Sequence, residues 1–225
     1  YNWDRPIYFV SQGGDLDIGI RDYLQFEGFA YKLVPIRSTT RTAEIGQIDA
    51  DKMYDKVMKV YEWDNLADTT INVDYQNLST FNGVMSIRAI FVQTAIGLFE
   101  DGEKEKAVQV LDKMQQVMVP QNFPLNTSLL FSVNEYMVLQ AIEIYIKSGE
   151  REKGVKLAQD FAKETIDAVT LFAQPYGRSI LSQSDLENNY SLYGYMLDIL
   201  ADCGAVEEAK ELELEFNETI SLLLK

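Results

Sequence analysis

From Val84 onward, apolar residues recur at steps of three and four in paired blocks, the spacing that gathers them on one face of an α-helix. Val84, Ile87, Phe91, Ala95 and Leu98 make one stripe, and Ala107, Val110, Leu111, Met114 and Val117 the next. A second pair carries Val133, Tyr136, Met137 and Ile144, then Val155, Ala158, Phe161, Ala162 and Val169. A third carries Tyr193, Met196 and Leu200, then Ala209, Leu212, Phe216, Ile220 and Leu223. Within each pair the blocks meet at a glycine (Gly102, Gly149, Gly204), followed five positions later by a small residue (Ala107, Gly154, Ala209). A turn needs a residue that tolerates positive φ, and two helices crossing closely need one without bulk. The pattern predicts three stacked helical hairpins. Their turns are spaced more widely than the roughly 34 residues of a tetratricopeptide repeat, so the array is tetratricopeptide-like with longer connections. Pro120, Pro124 and Pro175-Tyr176-Gly177 mark where the extra length lies.

The first 36 residues read differently. Ile7 to Val10 is a short aromatic and β-branched run, closed by Gln12-Gly13-Gly14. Asp15 is placed as an N-cap, and Leu16, Ile20, Tyr23, Leu24 and Glu27 then fall at helical spacing up to Gly28, a candidate helix stop. Phe29, Tyr31 and Leu33 alternate like a strand that Pro35 ends. The expected unit is βαβ-like, with Ile7–Val10 pairing Phe29–Val34 through a right-handed crossover and with Phe26, Phe29, Tyr31 and Leu33 buried against the first hairpin. Residues 37–78 read as a linker enclosing one helix from Ala50 to Trp63, whose apolar face is Met53, Tyr54, Val57, Val60 and Tyr61. The chain is therefore mainly α, with a small α/β unit over 1–36, a linker over 37–78 and the helical array over 79–225.

Composition narrows the chemistry. Thirty-five acidic residues against 20 basic ones give a net charge of −15, which argues against nucleic acid and sets a field that repels an anionic membrane surface. There is no histidine, which removes His-based triads, His metal sites and the commonest general base. The lone Cys203 has no intrachain partner, and no run is long enough to span a bilayer. No metal or other cofactor is expected. The chain begins at Tyr1 rather than Met, as a processed protein or a piece of a longer one would.

Few residues stand out as site candidates. Asp15, Asp17, Glu103, Glu105, Glu207 and Glu208 lie at helix starts, where carboxylates complement the dipole, so no catalytic residue is assigned. Lys32, Arg37 and Arg41 form a local basic cluster that could meet a phosphate or a lipid headgroup, a solvated loop being the commoner reading of such a run. Tyr190, Tyr193 and Tyr195 share one helix and offer rigid apolar area with a polar tip, suited to a peptide or glycan or else to packing between repeats. Arg88, isolated on an apolar stretch, is expected to pair with an acid such as Asp74.

Two segments carry a more specific likeness. Asn2, Trp3, Arg5, Pro6, Tyr8 and Phe9, followed by Tyr23, Leu24, Gln25, Glu27, Gly28, Tyr31, Leu33, Val34 and Pro35, resemble the soluble C-terminal part of a bacterial family of polytopic membrane proteins related to protein O-mannosyltransferases. The resemblance implies a multispan glycosyltransferase module, using a lipid-linked sugar, ahead of this region and absent from it. It also implies attachment to the cytoplasmic membrane of a bacterium, with this domain facing the periplasm. The expected role is non-catalytic binding of a protein acceptor or of the protein's own membrane module. The alternative is an accessory role in a transferase site, with Arg5, Arg37 and Arg41 contacting acceptor or phosphate.

Overall fold

The computed structural model describes residues 5–10, 19–37, 47–63, 65–71, 86–127, 133–174 and 183–223. The described chain is mainly helical, with a small N-terminal sheet followed by helical hairpins, the fold class that the apolar periodicity predicts.

Four short strands, β1 (Tyr8–Phe9), β2 (Leu24–Phe26), β3 (Tyr31–Leu33) and β4 (Gln47–Ile48), form a sheet of order β1-β3-β2-β4. β1 does pair with β3, but antiparallel, Tyr8 opposite Lys32 and Phe9 opposite Tyr31. β2 and β3 form an antiparallel hairpin, and the parallel pair is β2 with β4. The expected βαβ crossover is thus replaced by a hairpin. The segment read as the end of a helix is a 3₁₀ turn, Arg21–Tyr23, running into β2. Leu24 and Phe26 are buried and Gln25 between them is not, which is a strand's alternation. Gly28 has φ +81° and is the first central residue of the hairpin turn, closed by the Glu27 amide donating to the Ala30 carbonyl at 2.8 Å. Phe29 lies in that turn, outside the strand's alternation, and is 53% exposed. It is not the core residue that its spacing from Tyr31 suggested, whereas Phe26 and Tyr31 are buried and Leu33 is partly so.

Helix α1 (Ala50–Asp55) starts at Asp49, whose side chain accepts from the Lys52 amide at 3.1 Å, and it continues as a π-helical turn over Lys56–Val60. Met53 and Val57 are fully buried, but Val60 faces solvent. Rings step from the hairpin tip into the core: Phe29 against Tyr61 (5.3 Å), Tyr61 against Trp63 (5.6 Å) and Trp63 against Phe91 (4.7 Å). The Trp63 indole donates to the Val57 carbonyl at 2.9 Å.

Three hairpins follow: α2 (Ser86–Glu100) with α3 (Lys104–Val117), α4 (Val133–Lys147) with α5 (Arg151–Ala173), and α6 (Gln183–Asp202) with α7 (Val206–Leu223). The first helices stack in the order α2, α4, α6, and the sheet unit covers α2 through α1 and β4. All three turn glycines have positive φ: Gly102 +85°, Gly149 +93° and Gly204 +83°. Ala107, Gly154 and Ala209 are buried where the helices of each hairpin cross. A Cβ on Gly154 would sit 2.5 Å from Ile146 Cγ1 and 3.1 Å from the Ile142 carbonyl. Gly97 lets α2 approach the sheet unit in the same way, since a Cβ there would meet Ile48 Cγ2 at 2.6 Å.

Candidate functional site

Arg88 on α2 is buried, and its donors reach onto the connection between the first two hairpins. Nη1 donates to the Pro124 carbonyl at 3.0 Å and to the Asn134 side chain, and Nη2 to the Phe123 carbonyl at 2.8 Å. The proposed partner Asp74 lies outside the described residues. Burial pulls the guanidinium down to about 10, against the opposing effect of Glu135 and Glu164. Around it, polar side chains from α4, α5 and α6 hold the same connection. Glu164 on α5 accepts from the amides of Leu125 (2.7 Å) and Asn126 (3.0 Å), and Glu135 accepts from the Thr127 amide. Asn126 donates to Thr165 and to Asn189, 2.8 Å each. This network takes the place of a short loop between the first two hairpins, and the longer helices α5 and α6 widen the spacing to the third. The network's groups bind one another and backbone, so its role is architectural.

Glu27 and Gly28 of the N-terminal sequence motif are equally architectural, while Asn2 and Trp3 lie outside the described residues. Glu27 is buried, and its carboxylate accepts from Lys52 and, at 2.7 Å, from Lys56, fastening the hairpin to α1. Burial alone would raise its pKa, but the hydrogen bonds from the two ammonium groups outweigh that and hold it below the ordinary carboxylate value. The Tyr61 hydroxyl donates to the Glu27 carbonyl at 3.0 Å and occupies the space a Cβ on Gly28 would need.

The sequence candidates do not converge on one place. Arg5 and Arg37 are exposed on the sheet unit, and Arg37 forms two hydrogen bonds to Asp22, at 3.1 and 2.9 Å. Arg41 lies outside the described residues. Tyr193 is buried, stacked on Phe216 at 4.1 Å with its hydroxyl donating to the Leu212 carbonyl at 2.9 Å. It is a packing residue. Tyr190 meets the same Phe216 edge-on and is half-exposed.

What the array does present is a different tyrosine pair. Tyr136 on α4 is 44% exposed and Tyr195 on α6 is 51% exposed, their ring centroids 6.4 Å apart across the seam between the stacked first helices. The helical spacing predicts Tyr136 in the buried stripe. The stripe instead turns on Val138, Leu139, Ala141 and Ile142, with Asn134 and Glu135 buried by the polar network. Tyr195 is out of phase with Tyr193, Met196 and Leu200, a signal legible in the sequence. Gln140, one turn beyond Tyr136, and Asp198, one turn beyond Tyr195, are exposed beside the pair. Two rings with polar neighbours across a helix seam offer stacking area and hydrogen bonding to an extended ligand, with no nucleophile or acid–base pair among the side chains just named. Among the described residues no group of side chains is arranged to hold a metal ion, and no helix is long and apolar enough to cross a membrane.

By architecture the chain falls in the class of helical-hairpin arrays capped by a small sheet. Residues 1–52, which span the sheet and the start of α1, match the sequence model of a family described as TMEM260-associated domain 2. No curated protein and no solved structure matches the chain.

Proposed function

We propose that this chain is a non-catalytic binding domain, the extracytoplasmic C-terminal part of a membrane glycosyltransferase-like protein, facing the periplasm of a bacterium. The relation to that kind of protein is supported by the family match over residues 1–52. The binding role is carried by the exposed Tyr136–Tyr195 pair, which spans two hairpins and so can hold a peptide or glycan along the stacked first helices. Arg37 gives the accessory-site alternative little support, because its guanidinium is already engaged by Asp22.

The test places a photo-crosslinking residue at Gln140 in the full-length protein in its native membranes. A discrete adduct is expected there, lost in the Tyr136→Ser/Tyr195→Ser double variant and not formed from the same probe at Gln116, exposed on α3. An adduct that survives the double variant, or none at Gln140, refutes the assignment.

A further inference from the structure

The sheet unit, not the array, carries the densest set of exposed apolar side chains. Ile7, Tyr8, Val10, Phe29 and Ile36 are all exposed, Val10 at 80%. The strand register explains why they lie together. Tyr8, 45% exposed, lies beside Lys32 with its hydroxyl donating to Glu27 Oε2 at 3.4 Å, and extending the antiparallel register puts Val10 opposite Ala30, next to Phe29 in the turn. The same register puts Ile7 beside Leu33, whose amide donates to the Ile7 carbonyl at 2.9 Å, with Ile36 just beyond. The five residues thus run along the rim of the β1–β3 edge, Tyr8 and Val10 on one face of β1 and Ile7 on the other.

Charge is segregated along the molecule in a way that the total of −15 conceals. At the far end, α7 carries Glu207, Glu208, Glu211, Glu213, Glu215 and Glu218 against Lys210, and α6 carries acids and no basic residue. Over residues 1–46, acidic and basic residues nearly balance, six to five. Of the acids described there, Asp22 is bound by Arg37, and Glu27 is buried between Lys52 and Lys56. Among the described strands and turns, the charges left without an ion pair are those of Arg5 and Arg21, both exposed, and of Lys32, half-buried. An anionic surface therefore repels the α6–α7 end and orients the sheet end towards itself.

We propose that the β1–β3 edge docks on an anionic lipid bilayer, its apolar side chains entering the headgroup region while Arg5, Arg21 and Lys32 meet lipid phosphates. Aromatic and aliphatic side chains flanked by long cationic ones are the combination that partitions to such an interface. The inference deepens the reading of the chain as a domain of a membrane protein, and it does not depend on the tyrosine pair.

Flotation of the 225-residue chain with phosphatidylcholine vesicles, with and without phosphatidylglycerol, tests it. The chain should float with the mixed vesicles despite its net charge, and less with phosphatidylcholine alone. Val10→Asp/Phe29→Asp should lower the bound fraction several-fold with an unchanged melting midpoint. Lys32→Glu, which leaves the apolar side chains in place, should remove the part that depends on phosphatidylglycerol, and it decides the matter if the double variant fails to fold. Tyr136→Ser/Tyr195→Ser should float like the parent, which separates a failure here from a failure of the array's binding role. A chain that stays in solution with both vesicle types, or variants that fold and float unchanged, overturns the proposal.

Discussion

In the hairpin array the residues that set one helix against the next have almost no side chain, whereas in the sheet unit the fastening residue is a buried carboxylate. Ala107, Gly154 and Ala209 work by absence: the backbones approach, and apolar stripes meet along whole helices. Strands of two or three residues bury too little to do the same, so Glu27 with two lysines, and a hydroxyl filling the space over Gly28, hold the hairpin to α1. The array should therefore be sensitive to added volume and the sheet unit to lost charge.

The largest effect is expected where the array departs from this rule. Arg88→Ala strands the carbonyls of Phe123 and Pro124 and leaves Glu135 and Glu164 without their buried counter-charge. A loss of about 3–5 kcal/mol in chemical denaturation is expected. A change under about 1 kcal/mol would show that the connection is held without it.

Gly154→Val comes next. Its branched side chain must displace Ile146 and meets the backbone carbonyl of Ile142, which cannot rotate away. Overpacking of this kind costs about 1–3 kcal/mol, read as a lower denaturation midpoint. The same substitution at Gly194, where a Cβ meets nothing within 4 Å, should cost far less. Equal effects at the two positions would remove the helix-crossing argument.

That contrast also explains what could be read from the sequence. The hairpins were legible because long stripes, turn glycines and small crossing residues repeat three times and agree with one another. The sheet unit departs from the periodic reading because Ile20, Tyr23, Leu24 and Glu27 match a helical period by chance, and in so short a stretch two periods compete; Asp15 and Leu16 lie outside the described residues. Leu24-Gln25-Phe26 already alternated, with Gly28 placed as well for a hairpin turn as for a helix stop. The partners of Arg88 are out of the sequence's reach: two are main-chain carbonyls some 35 residues away, which have no sequence signature, and the third is an asparagine side chain on the next hairpin. The Tyr136–Tyr195 pair was half-visible: Tyr195 is out of phase with its stripe, but Tyr136 was displaced to the surface by a polar network that only the folded chain reveals.

Glu27→Gln sharpens the comparison through pH. The folded carboxyl titrates below its ordinary value near 4.5, so its contribution is complete above that value and is lost as the pH falls through the folded one. Glu164 behaves oppositely: burial, against the amides of Asn126 and Leu125, raises it. On acidification the array's carboxyl therefore takes its proton more readily in the folded state than in the unfolded one, and stability is gained. Amide protection in β2 and β3 should fall below about pH 4.5 while protection in α4 and α5 does not, and Glu27→Gln should abolish the difference at a cost of about 1–2 kcal/mol. Protection that falls equally in both regions would mean that Glu27 is not the fastening.

The smallest expected effect is that of Phe29→Asp, a substitution that the alternation of Phe29, Tyr31 and Leu33 says should be ruinous. The strand's inward positions, however, end at Tyr31. Phe29 sits in the turn with its ring edge-on to Tyr61, more than half in solvent, and the other position of the turn is held by Gly28 with φ +81°. An aspartate there loses one aromatic contact and buries no charge, so the loss should stay near 0.5 kcal/mol or less. Phe26→Asp, two residues before the hairpin tip, puts the same carboxylate among buried neighbours and should unfold the sheet unit. Paired melts of the two variants, with β2 and β3 amide signals as the local readout, decide the matter: a Phe29→Asp variant as damaged as Phe26→Asp would return the hairpin tip to the core and remove the exposed edge on which lipid docking depends.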